Sequence, residues 1–135
     1  DGYRAAAVAR ADDLSTLGID AEPALPLPHG VLGMITLADE RIQLSGLANV
    51  APTVCWDRLM FCAKEAVYKA WFPLTKRWLG FKDVFVEIDR DGTFVARLLV
   101  AGPRVKGHVV DVFTGHWLTR NGLLLAAIAV VVSAE

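Results

Sequence analysis

Apolar residues recur along this chain at two different periods. Between residues 53 and 72 they fall three and four apart, at Trp56, Leu59, Met60, Ala63, Val67 and Ala70. That spacing lays one stripe along one side of a helix. It predicts a helix over Thr53–Phe72, with Thr53 as its cap and Pro73 as its stop. Downstream the period is two. Val84–Ile88 alternates, Asp91-Gly92 marks a turn, and Thr93–Val100 reads as the returning strand. His116–Arg120 and Leu123–Val132 flank Asn121-Gly122, a strong hairpin signal. Leu123–Val132 is also the longest apolar run. At ten residues it is too short for a membrane helix, and its valines favour a buried strand.

The first third of the chain is less regular. Tyr3–Arg10 and Ser15–Ala21 read as two strands joined at Asp12-Asp13, a hairpin. Glu22–Gly30 carries Pro23, Pro26 and Pro28 and is expected to be irregular loop. Leu37–Leu47 is weakly helical, with Asp39 and Glu40 near its positive end, and Gly46–Pro52 is a connector. The fold class expected is α+β: an antiparallel sheet with one long helix packed across it.

Composition narrows the function. The 135 residues (14.7 kDa) suit one domain, and 54% hydrophobic against 21% charged residues excludes a disordered chain. Lys+Arg 14 against Asp+Glu 15 leaves no basic surplus for nucleic acid. Asp1–Arg10 has no signal-peptide pattern, and a start at Asp rather than Met points to sequence upstream. Cys55 and Cys62 are seven residues apart. On one helix that is roughly 10 Å, too far for a disulfide, so both read as reduced thiols of a cytoplasmic protein. His29, His108 and His116 are scattered and match neither a zinc site nor a Cys/His pair.

Two stretches carry candidate chemistry. In Gly18-Ile19-Asp20-Ala21-Glu22 the two carboxylates lie two apart on a strand and project from one face. Such neighbours repel unless a cation or proton lies between them. Alone, they read either as a solvated pair at a strand end or as metal ligands. In Phe61-Cys62-Ala63-Lys64-Glu65-Ala66-Val67-Tyr68-Lys69-Ala70-Trp71, Glu65 and Lys69 are i,i+4 neighbours. Alone, they read as a surface ion pair of about 0.3–0.5 kcal/mol. Lys64 lies about 100° round the helix from Glu65, where it addresses the same group from the side. Where helix crosses strand, Asp20, Glu22 and Glu65 converge with Lys64 and Lys69. Oxygen ligands of this kind suit Mg²⁺ completed by substrate phosphates, and the lysines offset phosphate charge. This is the composition of a phosphoryl-transfer site. No glycine-rich phosphate loop and no kinase motif set accompanies it. Trp56, Met60 and Phe61 read as core. Lys76-Arg77-Trp78 reads either as a solvated basic loop or as a contact for an acidic protein.

These two motifs, in this order, resemble the signature of the 4′-phosphopantetheinyl transferases: a Gly-Ile-Asp-x-Glu strand, then a (Trp/Phe)-x-x-Lys-Glu-(Ala/Ser)-x-x-Lys helix. Ala70–Phe81 is similar to the actinobacterial branch of the larger, surfactin type. The resemblance implies transfer of the phosphopantetheine arm of coenzyme A to a serine of an acyl- or peptidyl-carrier protein, serving fatty acid, polyketide or nonribosomal peptide synthesis. It implies that Asp20, Glu22 and Glu65 bind Mg²⁺, that Glu65 accepts the serine proton directly or through water, and that Lys64 and Lys69 hold phosphates. Glu65 and Lys69 are then the catalytic pair. The larger type has two similar halves with the site between them, and this chain resembles the second. The expectation is one half of a longer protein, nearly inactive and self-associating by itself. The alternatives are an oligomer like the small holo-acyl-carrier-protein synthases, or a non-catalytic half-domain that binds carrier proteins. Neither a nucleic-acid nor a membrane partner is expected.

Overall fold

The computed structural model describes residues 5–132. Its elements run β1 (Thr16–Pro23), α1 (Val31–Ile35), α2 (Ala38–Val50), α3 (Trp56–Thr75), a 3-10 turn (Phe81–Asp83), β2 (Val84–Ile88), β3 (Thr93–Leu98), β4 (Arg104–Val105), β5 (His108–Val109), β6 (Val112–Arg120) and β7 (Leu123–Val130). Five strands form one antiparallel sheet in the order β1-β7-β6-β3-β2, with β4-β5 a separate small hairpin. The long helix α3 packs across one face of the sheet, against β1, β7, β2 and β3. This is the α+β arrangement expected.

The core lies between α3 and the sheet. Leu59, Met60, Ala63, Ala66, Val67 and Ala70 bury the helix stripe against Val86, Phe94, Phe113, Leu124 and Ile128. Trp56 and Met60 are core residues, as their spacing implied. Asn121 and Gly122 both have positive φ (53° and 76°), the backbone that a two-residue β6–β7 hairpin needs to match strand twist. The apolar run from Leu123 is strand β7, and no helix among the described residues is long and apolar enough to cross a membrane.

Three expectations need correcting. Residues 5–10 form no strand and are exposed, so the described residues hold no N-terminal hairpin; Tyr3 and Arg4 lie outside them. The partner of β1 is instead β7, from Thr16↔Val130 to Pro23↔Leu123. The alanine-rich segment 5–10 offers little apolar surface to bury, whereas β7 brings Leu124, Ile128 and Val130 into the core. Second, α2 runs through Gly46 to Val50, where a connector was expected. Third, α3 begins at Trp56 with Cys55 as N-cap and passes Pro73 before ending at Lys76, a left-handed residue whose N–H donates to the Phe72 carbonyl at 2.8 Å. Pro73 sits in the last turn, so its missing N–H leaves the Lys69 carbonyl without its helical partner and the helix ends three residues later.

The free edge of β2 is covered by side chains of α2. Glu40 Oε2 accepts the Val86 N–H at 2.7 Å, Gln43 donates to the Val86 carbonyl at 2.9 Å, and Gln43 accepts the Ile88 N–H. A helix thereby blunts a strand edge that would otherwise pair with another chain.

Candidate active site

The site starts from a glycine. On β1, Thr16, Gly18 and Asp20 face α3, while Leu17, Ile19 and Ala21 face the other way. A Cβ on Gly18 would collide with the Ala66 carbonyl oxygen and lie 2.7 Å from the Ala70 nitrogen. Helix and strand therefore touch backbone to backbone, which small residues on both elements permit. Thr16 Oγ1 donates to the Ala70 carbonyl at 2.9 Å and fixes the same crossing.

That crossing brings the expected residues of β1 and α3 together, with one exception. Lys69 Nζ lies 2.8 Å from Asp20 Oδ1, so it turns from its helix neighbour Glu65 to the strand. Lys69 is half exposed, whereas Asp20 is 8% exposed. The second oxygen of Asp20, Oδ2, is buried and has no hydrogen-bond partner. Beneath it the Cys62 thiol donates to the Asp20 carbonyl at 3.4 Å. Burial, then the charges of Asp20 and Glu22, pushes that thiol far above its ordinary range. Cys62 is thus a packing residue rather than a nucleophile.

Glu22 pairs with Arg58 at 3.2 Å. The same guanidinium donates to the carbonyls of Leu25 and Pro26, both at 3.0 Å, and Asp57 accepts the Leu27 N–H at 2.9 Å. The first turn of α3 thereby straps down the proline loop. Burial, then Asp20, raises the pKa of Glu22, against the pull of Arg58. Burial, then Asp20, also raises that of Glu65, against Lys69. Glu22 and Glu65 each resist ionisation first because burial strips water from the charged form and then because Asp20 lies close. Among the described residues no three His, Cys, Asp or Glu side chains already close on one point. Hard oxygens, an orphaned buried oxygen and the raised pKa values of Glu22 and Glu65 nonetheless fit a hard divalent cation.

The exception is Lys64. It was expected beside the phosphates, but it is 2% exposed, and though it lines the cavity beside Glu65 its ammonium is bonded inside the fold. Its ammonium donates to Glu40 Oε1 (2.7 Å) and to the carbonyls of Ile35 (2.8 Å), Phe81 (2.7 Å) and Val84 (3.2 Å). Three N–H groups meet four acceptors, which leaves none for a ligand. Burial lowers its pKa, with Glu40 opposing.

Sequence reasoning also passed over two features. Arg58 lies seven residues before Glu65, two helical turns along the same face, so its spacing was readable. A cavity of about 140 Å³ lies beside Glu65, walled by Tyr68, Trp78, Leu79 and Phe81. Trp78 packs on Tyr68 with ring centres 5.4 Å apart and still exposes 75% of its surface. These aromatics come from two segments, and only the fold joins them.

The sequence model of the 4′-phosphopantetheinyl transferase superfamily matches residues 16–120, the span from β1 through β6. The chain belongs to the 4′-phosphopantetheinyl transferase superfamily. Three curated relatives agree. It is 55% identical over 134 residues to 4′-phosphopantetheinyl transferase Svp of Streptomyces mobaraensis, covering 98% of this chain and 54% of that protein. It is 47% identical to PptT of Mycobacterium tuberculosis (94% and 57% covered) and 45% identical to Npt of Nocardia iowensis (96% and 61%). The chain spans little more than half the length of these transferases.

Proposed function

We propose that this chain carries the acidic half of a phosphopantetheinyl transfer site and works as part of a longer protein. The reaction is attack by a carrier-protein serine Oγ on the phosphorus of coenzyme A that bears the pantetheine arm. The new P–O bond joins arm to serine. The P–O bond to the bridging oxygen breaks, and adenosine 3′,5′-bisphosphate departs with the electron pair. The observation that carries this reading is the crossing of β1 and α3, which sets Asp20, with its unpaired buried oxygen, against Lys69 and Glu65.

Asp20, Glu22 and Glu65 would hold Mg²⁺. When bound, the ion neutralises diphosphate charge and polarises the phosphorus. Lys69, half exposed, presents its ammonium to the diphosphate. Glu65 is the group that would accept the serine proton, directly or through water. The aromatic walls of the cavity beside Glu65 offer apolar surface to the pantetheine arm. Acyl- and peptidyl-carrier proteins are the proposed acceptors, with Lys76 and Arg77 as charges complementary to an acidic partner. Cys55 and Cys62, both free thiols, suit a cytoplasmic setting.

The domain reading rests on the other sheet face. Leu17, Ile19 and Ala21 are only half buried, Leu118 is 49% exposed, and no described helix packs over them. A second α/β half, or a second copy of this chain, would cover that surface. The alternative is a half-domain that binds carrier proteins without modifying them. One experiment separates these readings. The chain, and separately the full-length gene product, is incubated with coenzyme A, Mg²⁺ and an apo carrier protein, and the carrier protein is weighed by mass spectrometry. A phosphopantetheine increment with the full-length product and little with the chain is expected. Mg²⁺-independent carrier binding with no increment from either would establish the non-catalytic reading. Modification by a monomeric chain, as judged by sedimentation, would overturn the half-domain reading.

A further inference from the structure

The Lys64–Glu40 pair is the most buried charged contact in the described residues, with side chains 1% and 0% exposed. Its partners come from separate parts of the chain. Ile35 ends α1, Leu37 precedes α2 and donates its N–H to Glu40 Oε1 at 2.8 Å, Phe81 opens the 3-10 turn, and Val84 and Val86 belong to β2. Lys64 itself, with Phe81 and Val84, lines the cavity beside Glu65 while its ammonium is taken up by Glu40 and the three carbonyls, and Phe81 packs on Phe61 of α3 with ring centres 5.8 Å apart. The segment that closes this wall, Lys76–Gly80, has no regular structure. Its neighbour, the Phe81–Val84 stretch, is tied to α3 through one ammonium. Lys64 is the residue next to Glu65, so whatever fixes Lys64 also fixes the helix turn from which Glu65 projects.

We propose that Lys64 is a positioning residue: with Glu40 it pins the Phe81–Val84 wall of the cavity against α3 and touches no substrate. This deepens the transfer reading above and rests on it for the cavity's purpose, but not for the mechanical link. The geometry accounts for a lysine where an apolar residue would pack more simply. Only a group with several donors can gather carbonyls from α1, the 3-10 turn and β2 at once. An Arg in its place is too large for a closed site and brings a planar fork to acceptors arranged around a point.

The test uses the full-length gene product and does not read transfer. Amide hydrogen exchange is compared between parent, Glu40→Gln and Lys64→Met. Glu40→Gln keeps size but removes the charge and replaces one of the two accepting oxygens, which take bonds from Lys64, Leu37 and Val86, with an NH₂ donor; it weakens the pin without opening a cavity and remains informative if Lys64→Met fails to fold. Exchange at residues 81–86 is expected to rise at least tenfold, while amides at the β1–α3 crossing keep parental protection. A uniform rise over the whole chain, or no rise at residues 81–86, overturns the proposal. The second arm uses the unmutated protein, whose lysine ammonium resonances are followed as Mg²⁺ and inorganic pyrophosphate are added. Lys64 is expected to stay unmoved while Lys69 shifts; a Lys64 shift as large as that of Lys69 overturns the proposal. If Lys69 also stays unmoved, the phosphate reading of the site fails, and the exchange data still decide the role of Lys64.

Discussion

Gly18→Ala is the smallest change that tests the site's construction. The added methyl would lie 2.7 Å from the Ala70 nitrogen and closer still to the Ala66 carbonyl oxygen. Ordinary contact lies well beyond 3 Å, and neither obstacle is a side chain that can swing away. Helix α3 must retreat from β1, or β1 must bend. Overpacking of this kind costs about 1–3 kcal/mol. Retreat also loosens the bond from Thr16 to Ala70, a further loss of about 1 kcal/mol. The sum is about 2–4 kcal/mol, which in a chain of this length lowers Tm by roughly 7–15 °C. The same retreat pulls Lys69 from Asp20, two residues along the strand from Gly18. Transfer by the full-length gene product should fall more than tenfold, even well below the new Tm. Thermal unfolding by circular dichroism, paired with carrier-protein mass spectrometry, measures both effects. A variant within about 2 °C of the parent and fully active would show that the crossing has slack and does not set the site's spacing.

Further outcomes follow from the same geometry. Asp20→Ala and Glu65→Ala should each abolish transfer while leaving the circular dichroism spectrum intact; near-normal turnover at saturating Mg²⁺ would refute the acidic site. Lys69→Ala should raise the KM for coenzyme A more than Lys69→Arg does, because Arg keeps the charge; unchanged kinetics in both would reduce Lys69 to a partner of Asp20. The folded-state pKa of Glu65 is raised, so its ionisation costs stability. That cost is absent below the unfolded pKa, grows as pH rises through the folded one, and is complete above it. Glu65→Gln should therefore melt above the parent at about pH 7.5 and show no advantage below about pH 4; an equal difference at both pH values would contradict the assignment.

The site was legible where local spacing sufficed. An Asp-x-Glu alternation on a strand and an i,i+4 pair on a helix are fixed by backbone period, so the faces of Asp20, Glu65 and Lys69 followed from sequence. Lys64 did not, because one helical step from Glu65 leads equally well to the site or to the interior. What decides is Glu40, 24 residues earlier on another helix. Asp39 and Glu40 both read as charges favouring a helix start, yet Asp39 is exposed and Glu40 fully buried. The start of α3 was placed three residues early, because Thr53 looked like a cap while the helix begins from Cys55 without a side-chain cap. The absent N-terminal hairpin has a related cause. Two short runs joined at Asp12-Asp13 allow a hairpin, but among the described residues β1 keeps its outer edge open at the end of the sheet, and residues 5–10 offer too little apolar surface to take it.

The pairing of β1 with β7 also sets an order of assembly. The strand that carries Asp20 and Glu22 is among the first parts of this sequence to be synthesised, yet its only sheet partner among the described residues begins at Leu123. About a hundred residues must emerge before the acidic strand has a ladder to join, a long loop to close in a single step. Until then α3 offers its small-residue face to a strand held by nothing else. Every residue assigned to the chemistry lies at or before Lys69, but a chain that stops at the Asn121-Gly122 turn carries all of them and builds no site. Damage to β7 is therefore expected to look, in an activity assay, like damage to Asp20.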